Sequence, residues 1–407
     1  MRMGVYLILH KNNMSTQILT IKNKLRQNPT ALVGLKDFDY SEDKAIDPDV
    51  VLKQPNLSLY CLDPENKRAI FVLTPTEINL CDAPFYYLEQ YKTAQQLVAV
   101  PYDTLHKLAT EVNLDSNRII LIYSVGRCGS TLLSRVFNQV DRVVSFSEPD
   151  IYTQLLGLYK TNCINNTEIT ELVSSCTKIL CASTIQNGKT LSWVFKFRSF
   201  VIELGEIFYQ SFPEAKVIFL YRNAETWAES AARAFRIFEP ATQRSMPILQ
   251  ELLSPMIPLL AAYRAKNQNT LSPMEMLSCM WVSVIERYLD LYQKGVPMFA
   301  VRYEDLKISP RVVLDAIFGY CKVMENHSSA IDNILEQDSQ AGTNLSQINT
   351  QRSGNILLDN HLVEIKQFMQ KHSLSITPEL IVPNTFQCEL RVEIGYQQSI
   401  TYSLEFD

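Results

Sequence analysis

The sequence predicts an α/β fold in which helices cover both faces of a parallel sheet, with a smaller α+β accessory region at the N-terminus. Short apolar runs rich in β-branched and aromatic residues recur between residues 118 and 303. Segments with apolar residues at helical spacing separate these runs. Such alternation is typical of a parallel sheet, because helices connect its strands. Two further strand-like runs before residue 80 mark the accessory region.

Length and charge limit the possible classes of protein. The chain has 407 residues, enough for one large α/β domain and an accessory region. We place the accessory region at residues 1–115, the main domain at 116–380 and a strand-like tail at 381–407. The formal net charge of −5 argues against a general attraction to nucleic acid or to an anionic membrane.

Cysteine usage and hydropathy bear on metals and location. Nine cysteines are scattered without a Cys-x-x-Cys pair or a histidine cluster, so we expect neither a metal site nor a disulfide framework. An odd count leaves at least one free thiol, which suits a reducing cytoplasm. No apolar run approaches the ~20 residues that span a bilayer. The apolar run at residues 5–9 is too short for a signal peptide. We therefore expect a cytoplasmic protein that does not bind membranes.

In the accessory region, strands are expected at residues 57–62 and 68–73, on either side of a turn. Helices are expected at about 83–91 and 102–112, and residues 1–45 show little periodicity. The aromatic residues of the first helix can either line a ligand pocket or pack the region onto the main domain. The second interpretation is favoured, because aromatic side chains most often serve as core.

In the main domain, the apolar runs predict strands at residues 119–123, 142–146, 193–198, 216–221 and 296–303. After the second of these, Ser147 is expected to cap a helix with Pro149 in its first turn. A proline-containing helical insertion is expected at 240–273, a long core helix at 277–292 and a polar loop at 342–354. Ligands of open α/β sheets bind beyond the carboxyl ends of the strands, which directs attention to the residues that follow each strand.

The turn after the first of these strands has the features of an anion site. Gly126 and Gly129 lie on either side of Arg127, and Ser130 and Thr131 begin the following helix. Glycine permits positive φ and a close approach of the backbone to an anion. The helix N-terminus adds unpaired N–H groups and the positive end of a dipole, and a guanidinium fits phosphate or sulfate oxygens. The alternative is a strand–helix turn without a ligand. A nucleoside triphosphate loop would have lysine where Gly129 stands.

Three segments carry a resemblance to a known family. Residues 125–133, VGRCGSTLL, resemble the 5′-phosphosulfate loop of sulfotransferases that use 3′-phosphoadenosine 5′-phosphosulfate (PAPS). The match is to the branch with an arginine in the loop, which includes tyrosylprotein and trehalose sulfotransferases. Residues 217–230, VIFLYRNAETWAES, resemble the family's 3′-phosphate motif, and residues 301–306, VRYEDL, resemble its late strand. The three motifs follow the family order over residues 118–320, about half of the chain, and imply a P-loop-type fold.

The resemblance also implies cofactor-binding residues. Arg222 and Ser230, eight residues apart, match the residues that hold the 3′-phosphate. Tyr303 either contacts the cofactor or is half-buried packing. Arg352 matches loosely a late segment that closes over the cofactor, but the Gly-x-x-x-Trp that follows in the family is missing. The full implied set is Arg127, Cys128, Gly129, Ser130, Thr131, Arg222, Ser230, Tyr303 and Arg352.

The candidate catalytic residues are Arg127, Glu148 and Lys196. Glu148 follows the second strand close to where the arginine-loop branch carries its glutamate base, although an acidic residue also favours a helix N-terminus. Lys196 lies in a strand expected to be buried on both faces, and a buried ammonium needs an anionic partner. That partner is either the transferring sulfuryl group or a structural carboxylate, and Arg198 on the same face can serve instead.

These residues lead to one hypothesis and two alternatives. The hypothesis is a sulfotransferase that moves a sulfuryl group from PAPS to a hydroxyl of a small-molecule acceptor, without a metal, leaving adenosine 3′,5′-bisphosphate (PAP). The first alternative is a nucleotide-dependent kinase of related P-loop fold, against which the missing Gly-Lys counts. The second is a non-catalytic nucleotide-binding module, against which the candidate base and lysine count.

Overall fold

The structure, a computed structural model, describes residues 15–29, 31–184, 192–267, 270–323, 329–351 and 357–387. Its strands form two five-stranded sheets. In chain order they are β1 (Gln17–Lys24), β2 (Phe38–Ala45), β3 (Leu57–Asp63), β4 (Arg68–Leu73), β5 (Gln96–Pro101), β6 (Ile119–Ser124), β7 (Val143–Ser147), β8 (Ser192–Lys196), β9 (Lys216–Tyr221) and β10 (Met298–Arg302).

The α-helices surround these sheets. In chain order they are α1 (Val50–Lys53), α2 (Tyr86–Thr93), α3 (Tyr102–Glu111), α4 (Ser130–Phe137), α5 (Ile151–Lys160), α6 (Asn166–Ala182), α7 (Gly205–Ser211), α8 (Ala224–Ala234), α9 (Pro240–Leu253), α10 (Pro258–Lys266), α11 (Pro273–Gln293), α12 (Tyr303–Ile308), α13 (Pro310–Cys321), α14 (Ser329–Glu336), α15 (Gln347–Gln351) and α16 (Asp359–His372). None of the helices in the described ranges combines the length and apolar character that a membrane crossing requires.

The second sheet is parallel, with strand order β10-β9-β6-β8-β7, which confirms the predicted α/β fold. Its central strand β6 pairs with β8 on one side and β9 on the other, so the strand order reverses at β6. Every residue of β6 is buried, as expected for a strand covered by helices on both faces. In sheets of this type the reversal point opens a crevice for ligands at the carboxyl end of the strands.

The first sheet is antiparallel, with order β2-β1-β5-β4-β3. The sequence predicted β3, β4, α2 and α3 but no regular element before residue 45, so it missed β1 and β2, and it also missed β5. β1 and β2 form one side of the sheet and expose most of their side chains, which leaves little hydrophobic alternation to detect.

One prediction about the main domain is wrong. The helix after β7 begins at Ile151 and not near Ser147, which is the last residue of β7. Glu148 has φ of 57°, in the left-handed region, so a right-handed helix cannot pass through it. Instead of capping a helix, the Ser147 hydroxyl donates to the carbonyl of Pro84 at 2.6 Å. The predicted helical insertion contains α9 and α10, with Pro247 inside α9.

The described start of the C-terminal tail lies beside the parallel sheet. The Ala300 N–H in β10 donates to the carbonyl of Asn384 at 3.0 Å, and the Phe386 N–H donates to the carbonyl of Ala300 at 2.8 Å. Residues 388–407, where the sequence predicted further strands, lie outside the described ranges.

The two sheets share one hydrophobic core, which includes Phe71 and Val100 of the N-terminal sheet and Ile120 of the parallel sheet. A polar contact also joins them. The side-chain amide of Gln154 in α5 accepts from the Leu62 N–H at 2.7 Å and donates to the Leu62 carbonyl at 2.8 Å. Because β3 ends the sheet, the Gln154 amide takes the place of a neighbouring strand at this position.

We expect Gln154→Ala to lower the free energy of unfolding by about 1–3 kcal/mol, because it leaves both backbone groups of Leu62 without a partner. The measurement is the midpoint of thermal unfolding of the full chain. The exposed Gln139 provides the matched control, and Gln139→Ala should leave the midpoint unchanged. Equal midpoints for both variants would show that the amide contributes nothing to the contact.

Candidate active site

The loop between β6 and α4 forms a tight turn from three left-handed residues. The φ angles are 76° at Gly126, 50° at Arg127 and 81° at Gly129. A Cβ added at Gly126 would lie 2.8 Å from the Ser199 Oγ, and one at Gly129 would lie 3.1 Å from the Leu306 Cδ2. Positive φ favours glycine at both positions, and a larger residue would also have to displace the side chain of Ser199 or Leu306. The turn leads directly into the N-terminus of α4, as the sequence predicted for an anion site.

Two arginines meet at this loop. The Arg222 Nη1 donates to the carbonyl of Arg127 at 3.3 Å, and the Arg127 Nε donates to the Ser230 Oγ at 3.3 Å. The Arg222 guanidinium also lies 4.6 Å from the ring centroid of Tyr303, a cation–π contact that orients it. The structure thus brings together Arg127, Arg222, Ser230 and Tyr303, which come from three separate motifs.

The arginine pair has no ion-pair partner in the described part of the chain, although the Asp338 carboxylate acts to raise the pKa of Arg127. Among the described residues, no carboxylate forms an ion pair with Arg127 or Arg222. Burial lowers the pKa of Arg127, and the neighbouring Arg222 lowers it further. A bound anion would relieve this repulsion, and an anion with two phosphate groups would engage both arginines.

Gln340 is a member of the site that the sequence analysis missed. The Arg127 Nη1 donates to the Gln340 Oε1 at 2.5 Å, and the Gln340 Nε2 donates to the Thr131 Oγ1 at 3.4 Å. Gln340 lies in a turn-rich segment before α15 and belongs to no motif, so no signal in the sequence pointed to it. Arg352, the predicted closing residue, lies outside the described ranges.

Two tryptophans hold the backbone of the site. The Trp227 Nε1 donates to the carbonyls of Val125 and Gly126, both at 3.0 Å. The Trp281 Nε1 donates to the carbonyl of Arg222 at 3.0 Å. Both indoles are buried, so they combine core packing with a fixed donor. The sequence analysis assigned Trp281 to the core stripe of α11 and missed its hydrogen bond.

A second group of charged residues lies at the ends of β7 and β8. The Glu148 N–H donates to the Lys196 carbonyl at 2.7 Å, and the Lys196 ammonium pairs with the Glu148 Oε1. The Lys196 side chain is 4% exposed and that of Glu148 is 15% exposed. The carboxylate partner of the buried lysine is therefore the candidate base itself. The left-handed φ of Glu148 is unusual for a residue other than glycine, and such strain concentrates at functional sites.

Arg198 extends this group. Its Nε lies 2.8 Å from the Asp150 Oδ1 and 3.6 Å from the Glu148 Oε2. Its guanidinium also lies 4.6 Å from the ring centroid of Tyr87 in α2. Burial raises the pKa of the Asp150 carboxyl, and the Arg198 cation opposes that effect. In contrast to the arginine pair, these two cations are balanced by two carboxylates.

Both groups lie at the same edge of the parallel sheet. Lys196 is in register with Ile122 of β6, and Ser124 of β6 is in register with Leu220 of β9. The arginine pair follows β6 and β9, and the balanced group follows β7 and β8. The arrangement can bind a phosphate-rich ligand beside a carboxylate able to accept a proton.

Cys128 takes no direct part in this arrangement. Its side chain is completely buried, and its Sγ donates to the carbonyl of Leu220 at 3.4 Å. Burial raises the pKa of the Cys128 thiol to about 11. The thiol therefore stays protonated at neutral pH and cannot act as a nucleophile.

The chain matches a known protein family and resembles several solved structures. Residues 117–375 match the family described as "Sulfotransferase domain". No curated protein matches the chain. Solved structures that resemble it include the sulfotransferase domain of the Synechococcus PCC 7002 olefin synthase, at 16% identity, with 62% of this chain and 93% of that one covered and a TM-score of 0.33. A sulfotransferase from Alicyclobacillus acidocaldarius is 12% identical, with 62% and 91% covered and a TM-score of 0.37. Mouse sulfotransferase SULT7A1 complexed with PAP is 11% identical, with 66% and 88% covered and a TM-score of 0.36.

The fold and the loop define an α/β protein with a left-handed turn that leads from the central strand into a helix N-terminus. Because the family match spans residues 117–375, well over half of the chain, the protein belongs to the sulfotransferase family. It is thus an enzyme that transfers a sulfuryl group, and its donor is PAPS. This assignment follows from the sequence match, and the low structural similarities add no weight to it.

Burial and the raised thiol pKa predict that Cys128 resists alkylation. With a pKa of about 11, roughly a thousandth of the thiol is ionised at pH 8. We expect iodoacetamide at that pH to modify the exposed Cys163 and to spare Cys128, as measured by peptide mass spectrometry. Cys128→Ser should retain turnover within a few-fold. Rapid labelling of Cys128 in the folded protein would contradict its placement in the core.

Proposed function

We propose that this sulfotransferase transfers the sulfuryl group to a hydroxyl of a small-molecule acceptor, with Glu148 as the general base. The observation that supports the nucleotide side of the proposal is the partly buried pair Arg127 and Arg222 at the head of α4, which has no carboxylate partner among the described residues.

The base is only 15% exposed. Residues of the N-terminal region lie next to it, since the Ser147 hydroxyl donates to the Pro84 carbonyl and the Lys196 ammonium lies 6.0 Å from the ring centroid of Phe85. A recessed base of this kind suits a slim hydroxyl compound better than a bulky protein substrate.

We assign the nucleotide contacts as follows. Arg222 and Ser230 would hold the 3′-phosphate, while Arg127 and the first turn of α4, with Ser130 and Thr131, would hold the 5′-phosphate. The charge of the two arginines fits this ligand. The Arg127 side chain lies on Ser230, so Arg127 contributes on both sides of the nucleotide site. Tyr303 would orient Arg222 through the cation–π contact.

The chemical step requires proton removal and charge stabilisation. The donor, when bound, supplies a sulfuryl group attached to a phosphate leaving group. Glu148 would accept the proton of the acceptor hydroxyl, and the Lys196 ammonium would stabilise negative charge that develops on the oxygens. As in phosphoryl transfer, positioning and electrostatics would supply most of the rate enhancement. We also propose that the enzyme acts in the cytoplasm, because an odd number of cysteines leaves at least one free thiol, which suits a reducing compartment.

The nucleotide preference separates this function from its main alternative. Isothermal calorimetry with the full chain should show tight binding of PAP and weak binding of ATP with magnesium. Radiolabelled PAPS should then transfer label to at least one member of a panel of phenols, alcohols and sugars. Tight binding of ATP alone would support a kinase. PAP binding without any transfer would support a non-catalytic nucleotide-binding module.

We expect Arg222→Ala to weaken PAP binding by roughly ten- to a hundred-fold, because a charge-assisted contact contributes ~1.5–3 kcal/mol. Calorimetry measures the dissociation constant. Arg118→Ala is the matched control, since Arg118 pairs with Asp115 just before β6, at the opposite edge of the sheet. The control should bind PAP like the parent. Unchanged affinity in Arg222→Ala would remove Arg222 from the phosphate site.

We expect Glu148→Gln to lower kcat by roughly a hundred-fold or more, because a general base contributes ~10²–10⁴-fold, and to leave PAP affinity nearly intact. Initial rates with the best acceptor of the panel measure this effect. Glu203 provides the matched control, because it is another largely buried glutamate paired with a lysine, Lys160, at 2.7 Å. Glu203→Gln should keep turnover within a few-fold. The reverse outcome would transfer the role of base to Glu203.

A further inference from the structure

We propose that Asp150 and Arg198 position the Glu148 carboxylate and balance its charge, and that the N-terminal sheet region completes this arrangement through Tyr87 and Val33. The inference rests on the proposed role of Glu148 as base. It assigns an active-site role to a region that the domain organisation alone would treat as accessory.

Arg198 is shared between two carboxylates. It approaches Asp150 with two nitrogens, Nε at 2.8 Å and one Nη at 3.2 Å, and approaches the Glu148 Oε2 with Nε at 3.6 Å. The Asp150 side chain is completely inaccessible to solvent, and that of Arg198 is 15% exposed. A guanidinium that contacts a buried carboxylate through two nitrogens has a fixed orientation, so the position of its Nε relative to Glu148 is also fixed.

The two oxygens of Glu148 therefore have different partners. Lys196 pairs with Oε1, and Arg198 lies near Oε2. The direct Lys196 contact engages Oε1, while the longer Arg198 contact leaves Oε2 more open to a hydroxyl. A proton from an acceptor hydroxyl would thus arrive at Oε2. This asymmetry exists only while Asp150 holds Arg198 in place.

Residues of the N-terminal region contact both Asp150 and Arg198. The Val33 N–H donates to the Asp150 Oδ2 at 3.1 Å. The Tyr87 ring contacts two guanidinium groups, with its centroid 4.6 Å from that of Arg198 and 5.4 Å from that of Arg26. The Tyr87 hydroxyl donates to the carbonyl of Pro29 at 3.0 Å, which fixes the ring within the N-terminal region. Removing this region would expose the Asp150–Arg198 pair to water.

Among the described residues, three charged groups form ion pairs with Glu148 or with its partners. They are the Lys196 ammonium at the end of β8, the Arg198 guanidinium just after it and the Asp150 carboxylate before α5. Tyr87 of α2 is neutral at physiological pH, because burial raises its pKa well above the ordinary value. Beyond Tyr87, the charge of Arg26 is neutralised by Asp37 at 2.8 Å. The net charge around Glu148 therefore depends on Asp150 and Arg198, and removing either charge should change it in a known direction.

The test is the pH profile of kcat for the full chain, in variants that remove one charge each. Asp150→Asn leaves Lys196 and Arg198 facing Glu148 with one anion fewer, which favours the ionised base. The acidic limb of the profile should move to lower pH by about one unit. Arg198→Gln removes a cation and leaves Asp150 unbalanced, so the limb should move to higher pH by a similar amount. The loss of orientation should also lower kcat by about ten- to a hundred-fold in both.

The double variant Asp150→Asn with Arg198→Gln restores neutrality and should place the limb close to that of the parent, with kcat still reduced. It also removes the risk that a lone buried charge prevents folding. The matched control is Asp63→Asn, which breaks another buried aspartate–arginine pair, that of Asp63 with Arg68 at 2.9 Å in the N-terminal sheet. The control should lose stability and keep both the acidic limb and the KM for the acceptor.

The contribution of the N-terminal region is tested at Tyr87. Tyr87→Phe keeps the ring on Arg198 and should keep the acidic limb and at least half of kcat. Tyr87→Leu removes the ring and should reduce kcat about ten-fold with unchanged PAP affinity. Equal turnover in the two variants would overturn the role of Tyr87.

The outcomes also separate this inference from the proposed function. If Glu148→Gln abolishes turnover while the acidic limb stays fixed in Asp150→Asn and in Arg198→Gln, the base is correct and the positioning role is wrong. If Glu148→Gln retains turnover, the proposed base fails first, and the inference falls with it. Opposite limb shifts in the two single variants would support both.

Discussion

The architecture of the site depends on the repulsion between Arg127 and Arg222. Both guanidinium groups lie at the turn after the central strand, and the structure describes no carboxylate that neutralises them. Trp227 and Trp281 fix the backbone of this turn and of Arg222, and Tyr303 limits the motion of the Arg222 side chain. Holding two like charges together lowers the stability of the folded protein, as expected where an anionic ligand neutralises them on binding.

In contrast to the arginine pair, the neighbouring charged residues are paired with one another. Lys196 and Arg198 are matched by Glu148 and Asp150, so the charged group beside the arginine pair is close to neutral. A multiply charged nucleotide would therefore be drawn to one side of the sheet edge and leave the other side to a neutral acceptor. The separation follows from strand order, because β6 and β9 carry the unmatched cations while β7 and β8 carry the matched ones.

The sequence predicted the features that depend on a local pattern of residues. It did not predict contacts between segments that are distant in the chain. Apolar runs identified the parallel sheet, and the motif spacing identified Arg127, Arg222 and Ser230, which the structure places together. The left-handed φ of Glu148 overrode the local signal for a helix cap at Ser147. Gln340 contacts Arg127 across 213 positions of chain, and no local rule registers such a contact. The sequence analysis missed β1 and β2 because half of their residues are exposed, so the alternation of apolar and polar residues that marks a strand is weak.

The contacts of Gln340 have a consequence for kinetics. Its amide offers an oxygen to Arg127 and an N–H to Thr131, two residues proposed to hold the 5′-phosphate. On that assignment, nucleotide binding would have to exchange these contacts for contacts with the phosphate. The observed affinity would then be the intrinsic affinity reduced by the fraction of molecules in which the contacts are open. Because the same contacts can re-form as the nucleotide leaves, they would also favour its release.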